Sequence, residues 1–132
     1  MGAIVAASVA NAQSLQEQSA CAQQAQKVFN EYNNAGMPPG YKLVTSDHQS
    51  HYNAKLGKCV VLITTMFEIN GKMFVSAELL DAFERHQFAN YLSTEQSFQR
   101  PSTCTLARTI KDTANCSSRA EFDAFVSGYL EQ

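Results

Sequence analysis

The sequence predicts an α+β fold: an antiparallel meander sheet of four to five strands, with N-terminal and C-terminal helices and disulfide staples. Three observations lead to this prediction. Residues 59–69 are rich in β-branched and apolar residues, and Asn70-Gly71 joins them to a second apolar run, which is the strongest local signal for a β-hairpin. Helical periodicity occurs near both ends of the chain, and four cysteines are present.

Composition limits the fold and the partners. A chain of 132 residues, 45% hydrophobic and 17% charged, can form one compact core, so we expect a single domain over residues 13–132. A net charge of −2 gives no basic excess that would draw the protein to a phosphate backbone. Nucleic acid is therefore not expected as a partner.

The first twelve residues carry no charge and end in Ala10-Asn11-Ala12. This pattern is typical of the hydrophobic region and cleavage site of a signal peptide, although the positively charged leading segment is missing. A short apolar helix that stays on the protein is the alternative. With roughly ten apolar residues, the segment is too short to span a membrane as a helix. We expect a periplasmic or secreted protein with no membrane span in the mature chain.

The predicted first helix begins at Ser14, where Ser14 and Glu17 form a capping-box pattern. Gly36 is expected to end it in a left-handed conformation, and Pro38-Pro39 prevents its continuation. One face of this helix is apolar and is expected to be buried. Its residues are Leu15, Cys21, Ala22, Ala25, Val28, Phe29 and Tyr32.

The next predicted elements are an edge strand over residues 41–52, with an interruption, and the central hairpin. An Asn-Gly turn pairs Phe67 with Phe74 and Thr65 with Ser76. Alternation then divides the hairpin into two faces. One carries Cys59, Val61, Ile63, Thr65, Phe67, Ile69 and Phe74, and the other carries Val60, Leu62, Thr64, Met66, Glu68, Met73, Val75 and Ala77.

Residues 78–92 fit two patterns. Their apolar residues recur at helical spacing, yet residues 88–92 also alternate as in a strand. We favour a strand to about residue 82, a turn at residues 84–86 and another strand to residue 93; a helix is the alternative. Residues 103–110 are the last predicted strand, with Cys104, Leu106 and Ile110 on one side.

The chain is predicted to end in an amphipathic helix. A loop over residues 111–117 holds Cys116, and Ser118 and Glu121 form a second capping box. The apolar residues that follow have helical spacing: Phe122, Phe125, Val126, Tyr129 and Leu130.

Four cysteines in a small chain with a secretory start indicate two disulfides. Four cysteines can be joined into two disulfides in three ways. Cys104 and Cys116 flank one short loop, so we pair them. Cys21 and Cys59 remain, and both lie on faces that periodicity assigns to the core. Zinc ligation by dispersed Cys and His is a weaker alternative.

Three segments resemble a group of small exported bacterial proteins of uncharacterised function. They are residues 51–63 (HYNAKLGKCVVLI), residues 21–25 (CAQQA), and Cys116-Ser117-Ser118 with Glu121-Phe122-Asp123. The resemblance covers most of the chain after residue 20 and implies export and disulfides. It implies no activity.

Asp47, His48 and His51 are the candidate metal ligands. On a strand, Asp47 and His51 share a face and His48 does not, so all three converge only in a helix or an irregular loop. Adjacent Ser46-Asp47-His48 cannot align a nucleophile, base and orienting group. A hydrolase or metal-handling protein that uses Asp47, His48 and His51 is for these reasons only the alternative hypothesis, and no cofactor is predicted.

A binding module is the preferred hypothesis. If both helices cover the Cys59 face, the opposite face of the hairpin stays open, and an open apolar face marks an interaction surface. We expect a protein, a small apolar ligand or a second copy of the chain there. If residues 78–92 form a helix, that helix covers the face instead. The predicted surface consists of Leu62, Met66, Met73 and Val75, with His51, Tyr52 and Lys55 at its end.

Overall fold

The computed structural model describes residues 2–107 and 112–131, the side chains of residues 2–13 excepted. Within these residues, two helices flank a six-stranded sheet in the order α1, β1 to β6, α2. Helix α1 spans Gly2–Asn34 and α2 spans Arg119–Leu130. The strands are β1 (Tyr41–Asn53), β2 (Lys58–Ile69), β3 (Lys72–Asp81), β4 (Gln87–Thr94), β5 (Thr103–Ala107) and β6 (Thr113–Asn115).

The sheet is an antiparallel meander in which each strand pairs with the next along the chain. The predicted α+β class is confirmed, and so is the hairpin register, because Phe67 pairs with Phe74 and Thr65 with Ser76. The predicted number of four to five strands is wrong. The additional strand, β6, has three residues and lies in the predicted loop. It was missed because three residues are too few to show an alternating pattern.

The strand prediction for residues 78–92 is confirmed, and the alternative helix is wrong. Strand β3 ends at Asp81 and β4 begins at Gln87, and the two strands pair through Leu79 and Ala89. The predicted edge strand is also confirmed as β1, with a register shift between Leu43 and Thr45. Predicted strand residue Ile110 lies outside the described residues.

Helix α1 begins at Gly2 and not at Ser14, so the predicted start is wrong. Residues 2–13 contain much alanine and no glycine or proline after Gly2, and nothing in their sequence stops a helix before Ser14. The predicted burial of its apolar face holds for Cys21, Ala25 and Val28, whereas Leu15 is 71% exposed. Gly36 adopts the predicted left-handed conformation, with φ of 74°.

The two helices lie on opposite faces of the sheet, so the condition for an open hairpin face, that both helices cover the Cys59 face, is not met. The α1 face carries a cluster made by α1 and the central strands, with Cys21, Ala25, Val28, Cys59, Val61, Ile63, Leu80 and Ala82. The α2 face carries the larger cluster, with Val60, Ala77, Leu79, Phe88, Ala89, Tyr91, Cys104, Leu106, Cys116, Phe122 and Val126. Periodicity along a strand cannot tell which face a distant helix will cover.

Both predicted disulfides are confirmed. The Cys21–Cys59 bond joins α1 to β2, with 5.3 Å between the Cα atoms, and the Cys104–Cys116 bond spans the β5–β6 hairpin, with 5.0 Å. These separations are usual for disulfides. All four cysteines are therefore paired.

The N-terminus of α2 is capped as predicted. Ser118 Oγ accepts a hydrogen bond of 3.1 Å from the backbone N–H of Glu121. In a capping box the Glu121 carboxylate would accept from the backbone N–H of Ser118. Here it accepts instead from the hydroxyl of Ser117, at 2.8 Å. Among the described residues, neither helix has the length and apolar character that a membrane crossing requires.

Candidate functional site

The residues of the predicted interaction surface do not form one surface. Leu62 packs partly buried against the α2 cluster, and Val75 is 7% exposed. Met66 and Met73 are half-buried on the same face, beyond the cluster under α2. His51 shares that face, whereas Tyr52 lies on the α1 face beside the Cys21 cluster, and Lys55 is exposed in the β1–β2 turn.

The candidate metal ligands are separated by the pleat of β1. His48 lies on the α1 face and stacks on Phe29, with 4.3 Å between ring centroids. Asp47 and His51 lie on the opposite face, and Asp47 Oδ1 accepts at 2.8 Å from the backbone N–H of His48. In the described part of the chain, no group of three or more His, Cys, Asp or Glu could hold a metal ion. The structure does not bring the three candidates together.

A pocket lies on the α1 face, where the first helix ends. Gly36 turns the chain back toward the sheet, and its φ of 74° is a conformation that side chains with a Cβ disfavour. The backbone N–H of Tyr41 then bonds to the carbonyl of Pro38 at 3.1 Å, which fixes the loop above β1. The pocket has a volume of about 360 Å³ and is lined by Tyr32, Asn33, Ala35, Gly36, Met37, Pro38, Leu43 and Thr65.

One of the residues that line this pocket, Thr65, has an unsatisfied hydroxyl. Thr65 is 1% exposed, and its Oγ1 has no hydrogen-bond partner among the described residues. Ser46 pairs directly with Thr65 across β1 and β2, and its Oγ is likewise buried and unpartnered within that described set. A buried hydroxyl without a partner costs about 1–3 kcal/mol. A bound molecule that bonded to Thr65 would recover part of that cost.

An aromatic strip continues from the pocket toward the tip of the hairpin. Leu43 pairs with Phe67, and Phe67 stacks between Tyr41 and Phe74, with centroid distances of 5.7 and 5.5 Å. Lys72 Nζ lies 5.9 Å from the centroid of the Phe74 ring. Tyr41 is 40% exposed and Leu43 is 44% exposed. The mouth of the pocket therefore opens onto apolar surface.

A second cavity of about 340 Å³ lies beside the first and shares Tyr32 with it. Its walls include Glu31, Glu78 and Arg85, and Arg85 Nη2 lies 2.9 Å from Glu31 Oε2. Of the described residues that line the neighbouring pocket at Thr65, none is charged. The two cavities therefore differ in the kind of molecule that they suit.

The pocket was not found from the sequence, although one signal was present. Thr65 is a polar residue at a core-facing position of a strand whose neighbours on that face are Ile63 and Phe67. What the sequence could not supply is the crossing of α1 over β1, which brings Tyr32 and Met37 above that threonine.

Comparison with known proteins gives no relative from which to transfer a function. A scan against protein-family models, a search of curated proteins and a search of solved structures found no match to this chain.

Proposed function

We propose that the protein is a small exported binding protein that holds an apolar small molecule in the pocket between the end of α1 and the sheet. The observation that carries this proposal is that Thr65, one of the residues lining an otherwise largely apolar pocket, has a hydroxyl that is buried and unpartnered among the described residues. Small-molecule sites combine apolar walls with a few well-placed polar groups. The volume of about 360 Å³ lies within the range of roughly 300–1,000 Å³ that such sites have.

Export is supported by the two disulfides and by the apolar first twelve residues. Disulfides persist in oxidising compartments such as the periplasm. The same bonds leave no free thiolate for nucleophilic chemistry, since all four cysteines are paired. The pleat of β1 also places His48 on the opposite face from Asp47 and His51, so a role in binding suits these side chains better than a hydrolase that uses all three.

The site proposed here is on the α1 face and differs from the surface expected from the sequence. Part of that earlier surface is covered, because Leu62 packs against the cluster that α2 contributes to and Val75 is buried. On the α1 face, Tyr32 and Leu43 remain exposed at the pocket mouth, at 37% and 44%.

The experiment uses N-phenyl-1-naphthylamine, a neutral apolar dye whose fluorescence rises on transfer from water to an apolar site. We expect saturable binding by the oxidised protein and its loss in Ala35→Trp, because Ala35 lines the pocket and a larger side chain fills it. Ala124→Trp, at an exposed position on α2, is the matched control. Absence of saturable binding, or equal binding by both variants, would contradict the proposal.

A further inference from the structure

The chemistry of the pocket walls also limits the class of ligand that can bind. Among the described residues that line the pocket, none is an Asp, Glu, Lys, Arg or His. A charged group placed in such a site would lose its water without gaining a partner of opposite charge, which is strongly unfavourable. The ion pair of Arg85 and Glu31 belongs to the walls of the second cavity.

Thr65, which lines the pocket, offers a hydrogen-bonding group of a definite kind. A threonine hydroxyl can donate one hydrogen bond and accept others, so it matches an alcohol, a ketone or an amide equally well. Thr65 Oγ1 makes no such bond to any described residue, and the directly paired Ser46 has a second unpartnered hydroxyl. The hydrogen-bonding group of the ligand is therefore expected beside Thr65, with the apolar part of the ligand toward Leu43 and Tyr32.

We infer that the pocket selects neutral apolar molecules that carry one hydrogen-bonding group, and that Thr65 Oγ1 binds that group. This inference rests on the proposed function, since it concerns the same pocket. The inference excludes fatty acids and aliphatic amines as ligands, because these molecules have an apolar chain but a charged end at neutral pH. Thr65 is then a specificity-determining residue. An apolar part of the ligand that is too long for the pocket would lie on the aromatic strip at Phe67.

The test is competition against N-phenyl-1-naphthylamine by three probes of equal chain length: 1-octanol, octanoate and octylamine. We expect 1-octanol to displace the dye at concentrations about tenfold or more below those of the two charged probes. The Thr65→Val substitution keeps the shape of the side chain and removes the hydroxyl. This substitution is expected to lower the affinity of the protein for 1-octanol by about fivefold to tenfold. Thr65→Ser, which keeps the hydroxyl, is expected to change that affinity by no more than about twofold.

A second readout separates loss of the hydroxyl from damage to the fold. Because Thr65→Val removes a buried unpartnered group, the ligand-free variant is expected to unfold at the same or a higher urea concentration than the parent. Equal displacement by all three probes, or unchanged 1-octanol affinity in Thr65→Val, would overturn the inference while dye binding upholds the proposed function. Failure of the dye itself to bind would instead overturn the proposed function.

Discussion

The side-chain amide of Gln18 forms two hydrogen bonds with the backbone of Tyr52, accepting from its N–H and donating to its C=O, each at 3.0 Å. The backbone N–H and C=O of one residue in an antiparallel strand point to the same side of the strand. In Tyr52 both groups therefore point to the open edge of β1. Gln18 thus takes the place of a neighbouring strand. Asp47 satisfies one more backbone donor of β1, because its carboxylate accepts a hydrogen bond from the backbone N–H of His48. Such contacts protect an edge strand from pairing with other chains.

Replacing Gln18 with alanine tests this protection. We expect Gln18→Ala to lower the free energy of unfolding by about 1–2 kcal/mol, because two hydrogen bonds are lost at once. Urea denaturation measures the loss, and hydrogen exchange is expected to accelerate at the amide of Tyr52. Gln23→Ala, at an exposed position on the same helix, is the matched control. Unchanged exchange at Tyr52 would show that the amide does not cap the strand in solution.

The two disulfides are expected to contribute unequally to stability. They close loops of 38 and 12 residues, and the chain-entropy model assigns about 4 kcal/mol to the longer loop and about 3 kcal/mol to the shorter. The double variant Cys21→Ala/Cys59→Ala should therefore unfold at lower urea concentration than Cys104→Ala/Cys116→Ala. Circular dichroism during urea titration provides the comparison, and the reverse order would contradict the loop-length argument.

The parts of the fold that depend on neighbouring residues could be predicted from the sequence. The Asn70-Gly71 turn fixed the register that pairs Phe67 with Phe74, and the same pattern placed Cys59 on a buried face. The short loop between Cys104 and Cys116 paired those two cysteines, which left Cys21 with Cys59, and the core-facing positions of both agreed with that disulfide. These features succeed because each depends on alternation or on a turn whose conformation only a few residue types adopt.

The features that depend on long-range packing could not be predicted. The residues Phe122 and Val126 show that α2 has an apolar face, but nothing in their spacing says which face of the sheet they cover. That ambiguity placed the expected binding surface around Leu62, on the side that α2 in fact covers. The pocket at Thr65 depends on the same kind of packing, because α1 and its following loop complete it.

Asp81 is expected to determine the stability of the β3–β4 turn. Its carboxylate is buried and accepts from the backbone N–H groups of Phe83 and Glu84, at 2.9 and 3.0 Å. Asp81→Ala leaves both donors without this acceptor and should cost about 1–3 kcal/mol in urea denaturation. Asp81→Asn keeps an acceptor oxygen and should cost less. Equal losses in the two variants would show that the charge of Asp81, which lies 3.6 Å from Lys58 Nζ, matters more than these hydrogen bonds.

The phenol of Tyr129 is expected to make the stability of the protein depend on pH in the alkaline range. Burial raises the pKa of Tyr129 above its ordinary value of 10.0. Above pH 10.0 the unfolded chain loses this proton while the folded chain keeps it, so rising pH favours unfolding. We expect the free energy of unfolding to fall less steeply above that pH in Tyr129→Phe, which keeps the stacking on Phe88 at 4.8 Å. Urea titrations of both proteins at about pH 8 and about pH 11 make the comparison, and identical losses would contradict the assignment to Tyr129.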